Sequence, residues 1–520
     1  MKLFKSLWIA LTVVGVSLMT ACSSGSSADK LSKYVPDDVD VVVVGDLKRA
    51  IEATGSTIDG GTVKPSAALE DLLSALSSRE RDKLDEVLSF KGMDWNNCVF
   101  AVKIKSAGAD MLLLWSVADE LEFAKSFADL NDDVDVDRDA GDGYVTVGDD
   151  YQSIVLKDGV AALVLRNGRG LKASRAISAL EGWAEDADET PLAGWKKDRL
   201  AGKHVLNAMV DMKRLSKLAE NTGEFRMLAA KSKEIKKYID MYKKSVITLY
   251  FDIDGKSAIA EGSAFDQDGN DMELPYKGKL DTGLLKFGSK ADIAAAGWSS
   301  TKEMVKYLRE LLPASGNITD NLTVADAFDN ILGGLDGSVM IMAGPTTTDA
   351  KKLQKIDGWN IVAAAQYKDN KAASKALNQL TELAEMAQLQ IAAHTPGSKL
   401  EFDIVTGYNY NYDLDWYDDN YRTPIITRIC LLVDGNVLAV SNDKIGKEGA
   451  SVNGDEIKGA LAGMEIELSK KHELMEMVGA PFGVQAYAKG EGNTARYEVT
   501  LTDTDKDFIP AILELAGSNL

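Results

Sequence analysis

A chain of 520 residues is too long for one hydrophobic core and, at roughly 100–200 residues per domain, predicts two to four domains. Its 59 Lys and Arg face 80 Asp and Glu, a formal charge of -21, and 45% of its residues are apolar. That balance excludes a disordered chain, and it excludes nucleic acid or an anionic membrane face as partners attracted by charge alone. Three Cys and three His are too few for a disulfide scaffold or a Cys/His zinc array.

Residues 1–21 read as a secretory signal: Lys2 and Lys5 give a positive start, an apolar run extends from Leu7 to Met19, and Thr20, Ala21 and Cys22 follow. The run is too short and wrongly flanked for a spanning helix. Ending on Ala-Cys, it resembles the lipobox of bacterial lipoproteins, with Met19 and Thr20 departing from the usual residues. The resemblance implies cleavage before Cys22 and a lipid on its thiol. Residues 22–32 then form a tether rich in Ser and Gly, whose flexible part reaches about 15 Å. Export also places Cys98 and Cys430 where disulfides are permitted. Both stand in apolar strand-like runs, which predicts two separately buried thiols and leaves a bridge between distant parts of the chain open.

Further along, apolar strands run repeatedly into a polar residue and then a helix. Val41 to Val44 precede Asp46, with Gly55 as the helix stop; Asp119, Asp211 and Ser299 or Ser300 occupy the same place in later units. Each is read as a helix cap rather than a catalytic acid, because a side-chain oxygen there accepts the orphan amide hydrogens and meets the positive helix end. Turns are predicted at Asp158-Gly159, Asp254-Gly255 and Asp434-Gly435. Between Ile247 and Asp254, Ile247, Leu249, Phe251 and Ile253 point one way and Thr248, Tyr250, Asp252 and Asp254 the other, which predicts a sheet with one buried face. Helices such as the one from Ser66 to Phe90 would cover it.

The second half of the chain lies over the first at consistent offsets. Gly45 falls on Gly297 at 252, and Asp119, Lys125 and Leu130 on Asp369, Lys375 and Leu380 at 250. Asp158-Gly159 falls on Asp434-Gly435 at 276, and Ile247, Leu249 and Phe251 on Tyr497, Val499 and Leu501 at 250. The predicted fold is therefore α+β, with two tandem, internally related halves, each a mainly antiparallel sheet covered by helices. The first covers 33–265, a polar connector 266–290, and the second 291–520, with a Tyr/Trp-rich insertion at about 395–424.

No local catalytic motif is present. His204, His394 and His472 are scattered, and there is no G-x-S-x-G elbow, Walker loop or G-x-G-x-x-G after a strand. Three segments remain. Alternate carboxylates at Asp133, Asp135, Asp137 and Asp139, with Asp132 and Asp142 beside them, suit a hard cation, but no register supplies both the Gly and the Glu of an EF-hand, so a solvated acidic loop is preferred to a metal site. Tyr408, Tyr410, Tyr412, Trp416, Tyr417 and Tyr421 stand among Asp413, Asp415, Asp418 and Asp419 in the insertion. That mixture suits a glycan or protein surface, and equally an edge hairpin whose tyrosines pack on the body. Lys231, Lys233, Lys236, Lys237, Lys243 and Lys244 form a basic region, over a stripe of Met227, Leu228, Ile235, Ile239 and Tyr242. It is read as a solvated helix face, with a dock for lipid headgroups or an acidic partner as the alternative.

The segment after the tether, with Val35, Pro36, Asp37 and Asp38 ahead of Val41 to Val44 and Asp46, resembles the start of a family of uncharacterised bacterial envelope lipoproteins about 500 residues long. The resemblance implies an envelope address and carries over no catalytic residue. The expectation is a lipid-anchored, non-enzymatic binding or assembly protein without a cofactor, held at the outer membrane because Ser23 rather than Asp follows the Cys. Its partners are the membrane through the anchor and a glycan or envelope protein, with no nucleic acid. The alternatives are a glycan-capturing accessory using 408–421 and a cation-dependent hydrolase using 132–142.

Overall fold

The computed structural model describes residues 31–75, 81, 88–105, 108–130, 133–202, 204–213, 215–216, 240, 242–273, 278–300, 305, 317–319, 322–347, 349, 352, 358–410, 422–446, 448–467 and 482–519. Four β-branched valines in succession hold the chain extended from Val41 to Asp46 (β1). Asp46 ends that strand by accepting the Arg49 amide hydrogen at 2.8 Å, which caps α1 (Leu47–Ala53). Gly55, at φ +77°, takes the left-handed conformation that stops the helix.

The first half continues through β2 (Thr57–Asp59), β3 (Thr62–Lys64), α2 (Ala67–Ala75), β4 (Met93–Lys105), β5 (Gly108–Val117), α3 (Glu120–Asp129), β6 (Asp135–Asp137), β7 (Val145–Gly148), β8 (Ser153–Lys157), β9 (Val160–Arg166) and β10 (Arg169–Gly170). Helices α4 (Ala173–Glu189) and α5 (Gly194–Leu200) and strands β11 (Leu206–Asp211), β12 (Val246–Asp254) and β13 (Ser257–Phe265) complete it. The second half opens with a 3₁₀ turn, Thr282–Phe287, followed by β14 (Ala294–Ser300), β15 (Asn317–Thr319), β16 (Leu322–Thr323), α6 (Val324–Ile331), β17 (Leu335–Pro345) and β18 (Trp359–Tyr367). Then come α7 (Asn370–Met386), β19 (Gln390–Thr395), β20 (Lys399–Tyr410), β21 (Arg422–Asp434), β22 (Val437–Ser441), β23 (Ala462–Ile466), β24 (Gly483–Glu491), β25 (Thr494–Thr502) and α8 (Phe508–Asn519).

The fold is thus mixed helix and strand around a large antiparallel sheet. A separate sheet for each half was expected; instead, among the described residues, a single 21-stranded sheet runs through both. Neighbours follow the order β6-β7-β8-β9-β5-β4-β1-β11-β12-β13-β25-β24-β23-β14-β17-β18-β22-β21-β20-β19, with β10 also on β9. β13 and β25 pair from Ser257↔Thr500 to Ser263↔Thr494. That pairing covers an edge that each half would otherwise present as a row of open amides and carbonyls.

One face of the sheet is dry in each half. Val42, Val44, Val99, Leu112 and Leu114 pack against Ala176, Leu180 and Trp183 of α4 and against Leu31 and Val35. Met340, Met342, Val362 and Ala364 pack against Leu284, Leu285 and Phe287 of the 3₁₀ turn and against Val452 and Ile457. The second part of the expected connector is therefore core, because Leu280, Leu284 and Phe287 are 1%, 1% and 3% exposed. The opposite face is covered toward its outer ends, by Phe123, Ala124 and Phe127 of α3 over Trp115, Ile154 and Leu163, and by Ala373, Ala376 and Leu377 of α7 over Leu400, Leu431 and Leu438.

The Val35-Pro36-Asp37-Asp38 segment is a brace. Pro36 bridges Pro191, Asp37 accepts from the Ala193 amide at 2.8 Å and pairs with Lys196 at 3.0 Å. The nearly buried Lys103 holds Asp38 at 2.8 Å and Asp186 at 2.6 Å, tying the start of the chain to β4 and α4. A charge so placed keeps both partners because leaving it unpaired would be costly.

Candidate binding surface

Residues opposed in an antiparallel ladder project to the same face. From β12 to β17, one such row runs Ile253, Ala258, Val499, Ala486, Met464, Ala296, Ile341, and the next runs Phe251, Ala260, Tyr497, Ala488, Ala462, Trp298, Val339. Neither row contains a charged side chain. This is the face that the alternation at 247–253 identifies as buried, and here the structure corrects the expectation. Leu249 is 44% exposed, Tyr497 54%, Ile341 38%, Trp298 37% and Met464 36%. Alternation arranges the apolar side chains on one side, but α3 and α7 lie over the outer strands, α1 over Phe251 and α8 over Leu501 and Val484, and the positions between them stay open to solvent.

The opposite face of the central strands is polar and internally satisfied. The Tyr250 hydroxyl donates to Glu261 Oε2 at 2.7 Å and the Tyr487 hydroxyl to Glu498 Oε2 at 2.6 Å. Arg496 donates twice to Glu498, at 3.0 and 2.8 Å. Burial and the neighbouring Glu261 push the Tyr250 phenol up to about 12. Burial alone would raise the Glu498 carboxyl, yet the hydrogen bonds from Tyr487 and Arg496 outweigh it and hold the group below its ordinary value. His204 stacks on Tyr250 with ring centres 3.9 Å apart and approaches Asp252 at 3.3 Å. The Lys489 amine lies 4.2 Å over the Tyr487 ring. These groups bind one another, so the rings are not open platforms.

The aromatic insertion is only partly described. Tyr408, 40% exposed, lies on the long β20–β21 hairpin opposite Pro424, with the Arg422 guanidinium 4.1 Å from its ring. Val405 and Ile426 oppose each other on the same hairpin at 54% and 59% exposure. Tyr410 pairs with Arg422 along the backbone; Tyr412, Trp416, Tyr417 and Tyr421 lie outside the described residues, as do Cys22 and Lys231, Lys233, Lys236 and Lys237. Lys243 pairs with Asp240 at 2.8 Å.

Asp133, Asp135, Asp137 and Asp139 are exposed, and Val134 and Val136 between them turn into the core. Their alternation is that of an edge strand whose charged side chains face water, the arrangement that blunts an edge against further pairing. Among the described residues no three His, Cys, Asp or Glu side chains converge as a metal site. Cys98 and Cys430 are free thiols, each half-buried, and burial raises the Cys430 thiol above its ordinary value. The capping assignments hold at Asp46 and Asp119, which accept from Arg49 and Glu122 amides. Asp211 accepts from the Lys213 amide. Ser299 differs: its hydroxyl accepts from the Lys279 amide and donates to the Ala460 carbonyl, fastening the connector instead of a helix. Among the described residues no helix is long and apolar enough to cross a membrane.

No family profile matches the chain and no curated protein does. Among solved structures, crystal form IV of TP0453 aligns at 9% identity and a TM-score of 0.28, covering 45% of this chain and 79% of that one. Crystal form III of TP0453 aligns at 10% and 0.27, covering 47% and 81%. Scores this low transfer neither a fold nor a function.

Proposed function

We propose that this chain is a lipid-anchored bacterial envelope protein that works by binding rather than catalysis, and that its binding surface is the apolar sheet face between α3 and α7. The observation that carries the reading is the exposure of Leu249, Trp298, Ile341, Met464 and Tyr497 on one continuous face. An apolar patch that spans several strands marks a contact surface, because leaving it in water is unfavourable in proportion to its area. The anchor at Cys22 holds that surface close to the outer membrane. The test is a photo-crosslinking amino acid in place of Tyr497 in envelope-localised protein. An adduct there and none from the same residue in place of Tyr151, which is 80% exposed, supports the reading; no adduct at 497 removes it.

The two halves are related copies in this reading. Outward from the β13–β25 pair, the first half runs β13, β12, β11, β1, β4, β5, β9, β8, β7, β6 and the second β25, β24, β23, β14, β17, β18, β22, β21, β20, β19. Each step joins strands at the same place in chain order. Tyr250–Glu261 and Tyr487–Glu498 then correspond at an offset of 237, since 487 minus 250 and 498 minus 261 both give 237. The counterpart of β12 is thus β24 rather than β25, and the 250-residue match of Ile247 to Tyr497 gives way to Ile247 with Val484.

A further inference from the structure

We infer that the β13–β25 junction is an isologous interface, so that the chain is a dimer joined into one polypeptide and the edge strand of each half fits a second copy of the same half, an inference that rests on the kinship of the halves proposed above. At the offset of 237, the counterparts of Ser257, Ala260 and Ser263 are Thr494, Tyr497 and Thr500, since 494 minus 257, 497 minus 260 and 500 minus 263 all give 237. The ladder sets Ala260 opposite Tyr497, its own counterpart, and sets Ser257 opposite Thr500 and Ser263 opposite Thr494. A residue that meets its own counterpart, with the flanking rungs exchanged about it, defines a two-fold axis through the sheet.

The hydrogen bonds obey the same exchange. The Ser257 and Thr500 hydroxyls lie 2.7 Å apart and the Ser263 and Thr494 hydroxyls 2.8 Å. Beyond the hydroxyl rungs, the Ala264 amide donates to the Asn493 carbonyl and the Leu501 amide to the Lys256 carbonyl, each at 2.9 Å. These two bonds are also counterparts, since 501 minus 264 and 493 minus 256 give 237. Gly255 and Gly492, at φ +52° and +58°, turn the two hairpins at equivalent places. A slip of two residues would keep every side chain on its face and destroy the equivalence, so the apolar and polar faces alone do not set this register.

The side chains say what else each edge fits. Paired with a second copy about Tyr497, β25 sets Thr494 against Thr500 and Arg496 against Glu498 at both ends, two hydroxyl rungs and two of opposite charge. Paired with a second copy about Ala260, β13 sets Ser257 against Ser263 and Ile259 against Glu261, with no like charges opposed. α8 adds a contact outside the symmetry, packing on α2 and donating from the Phe508 amide to the Gly255 carbonyl at 2.8 Å. Together with the connector, that contact favours the unlike pair in the intact chain.

The experiment uses the full-length chain with a protease site inserted after Glu273, which is exposed. The cut protein is taken through urea strong enough to release its halves, returned to buffer and oxidised. Residues directly opposed in a ladder have Cα atoms about 4.5–5.5 Å apart, within reach of a disulfide. Tyr497→Cys is expected to give a 497–497 bond and Ala260→Cys a 260–260 bond, each read as a cross-linked peptide. Val499→Cys is expected to give none, because two copies of position 499 stand four residues, about 13 Å, apart along a ladder centred on 497. The uncut Tyr497→Cys chain should give none either, and a chain carrying both Ala260→Cys and Tyr497→Cys should form the 260–497 bond, which shows that both substitutions fold. Linkage at 499 equal to that at 497 would mean collision instead of pairing and overturns the inference. Recovery of unlike halves alone, or of no pair at all, also overturns it and leaves the kinship standing; the kinship itself falls on unequal costs of Tyr250→Phe and Tyr487→Phe.

Discussion

The hydroxyls of Ser257 and Thr500 lie 2.7 Å apart although 243 positions separate them in the chain. They mark the first rung of the ladder by which β13 and β25 join the two halves into one sheet, and Ser263 and Thr494 repeat the contact at 2.8 Å on its last rung. Between those hydroxyl pairs, on the other side of the same strands, stand Ala260 and Tyr497. The junction is therefore polar on one face and apolar on the other, and the apolar side forms the centre of the proposed binding surface.

If exposure distinguishes that surface from the core, truncations on the two must differ. Leu377→Ala, at a site 0% exposed on the inner face of α7, should cost about 2–5 kcal/mol. Leu249→Ala, at a site 44% exposed, should cost less than about 1 kcal/mol. Urea unfolding of the two variants checks this, and equal losses would place Leu249 in a closed core.

Asp46 gives a pH signature. Burial raises its carboxyl from the ordinary 3.8 to about 6, more than Arg49 and its amide lower it. A group whose folded value lies above its unfolded value contributes stability that is fully present below about 4 and lost as pH rises through about 6. Asp46→Asn keeps a capping side chain without the charge. The variant should therefore be no less stable than the parent at pH 7.5 and should lack this part of the rise on acidification from 7 to 5. Melting temperatures across that window decide the matter, and an unchanged pH profile would count against it.

Gly92 is a backbone requirement rather than a spacer. Its φ is +76°, and a Cβ there would stand 2.3 Å from the Phe123 amide nitrogen, where its own carbonyl accepts from Ala118 and Asp119. Gly92→Ala combines left-handed strain with a backbone clash and should cost more than about 2 kcal/mol. A loss below about 0.5 kcal/mol would show that the start of α3 adjusts freely.

The two Tyr–Glu pairs test the kinship of the halves. Tyr250→Phe and Tyr487→Phe each remove one hydrogen bond to a carboxylate and should cost similar amounts, about 1–2 kcal/mol. A large cost in one and none in the other would mean that the two positions have unlike surroundings.

Much of the local structure was legible in the sequence because it depends on near neighbours. Asp119 and Asp369 cap α3 and α7 by accepting from the amide three residues on, as a carboxylate before an apolar period should. The hairpin at Asp158-Gly159 forms as read, with Lys157 opposite Val160. The turns predicted at Asp254 and Asp434 move by one residue, because Asp254 pairs with Ser257 and Asp434 with Val437, leaving Gly255 and Gly435 first in each loop. The shared sheet was not legible, since alternation along 257–265 and 494–502 states which residues share a face but not which strand lies alongside. The same limit hid the open surface. Ile247, Leu249, Phe251 and Ile253 read as a buried face because the pattern does not say where the covering helices stop. Asp135 and Asp137 suggested ligands by spacing, whereas spacing of two is also that of the outward side of an edge strand.

Carbene footprinting of the protein in its native envelope and after purification tests the central claim most directly. Leu249, Trp298, Ile341, Met464 and Tyr497 should be labelled in the purified chain and protected in the envelope, while Tyr151 should be labelled equally in both. Equal labelling of the apolar face in the two settings would mean that nothing binds there and that this face is not a contact surface.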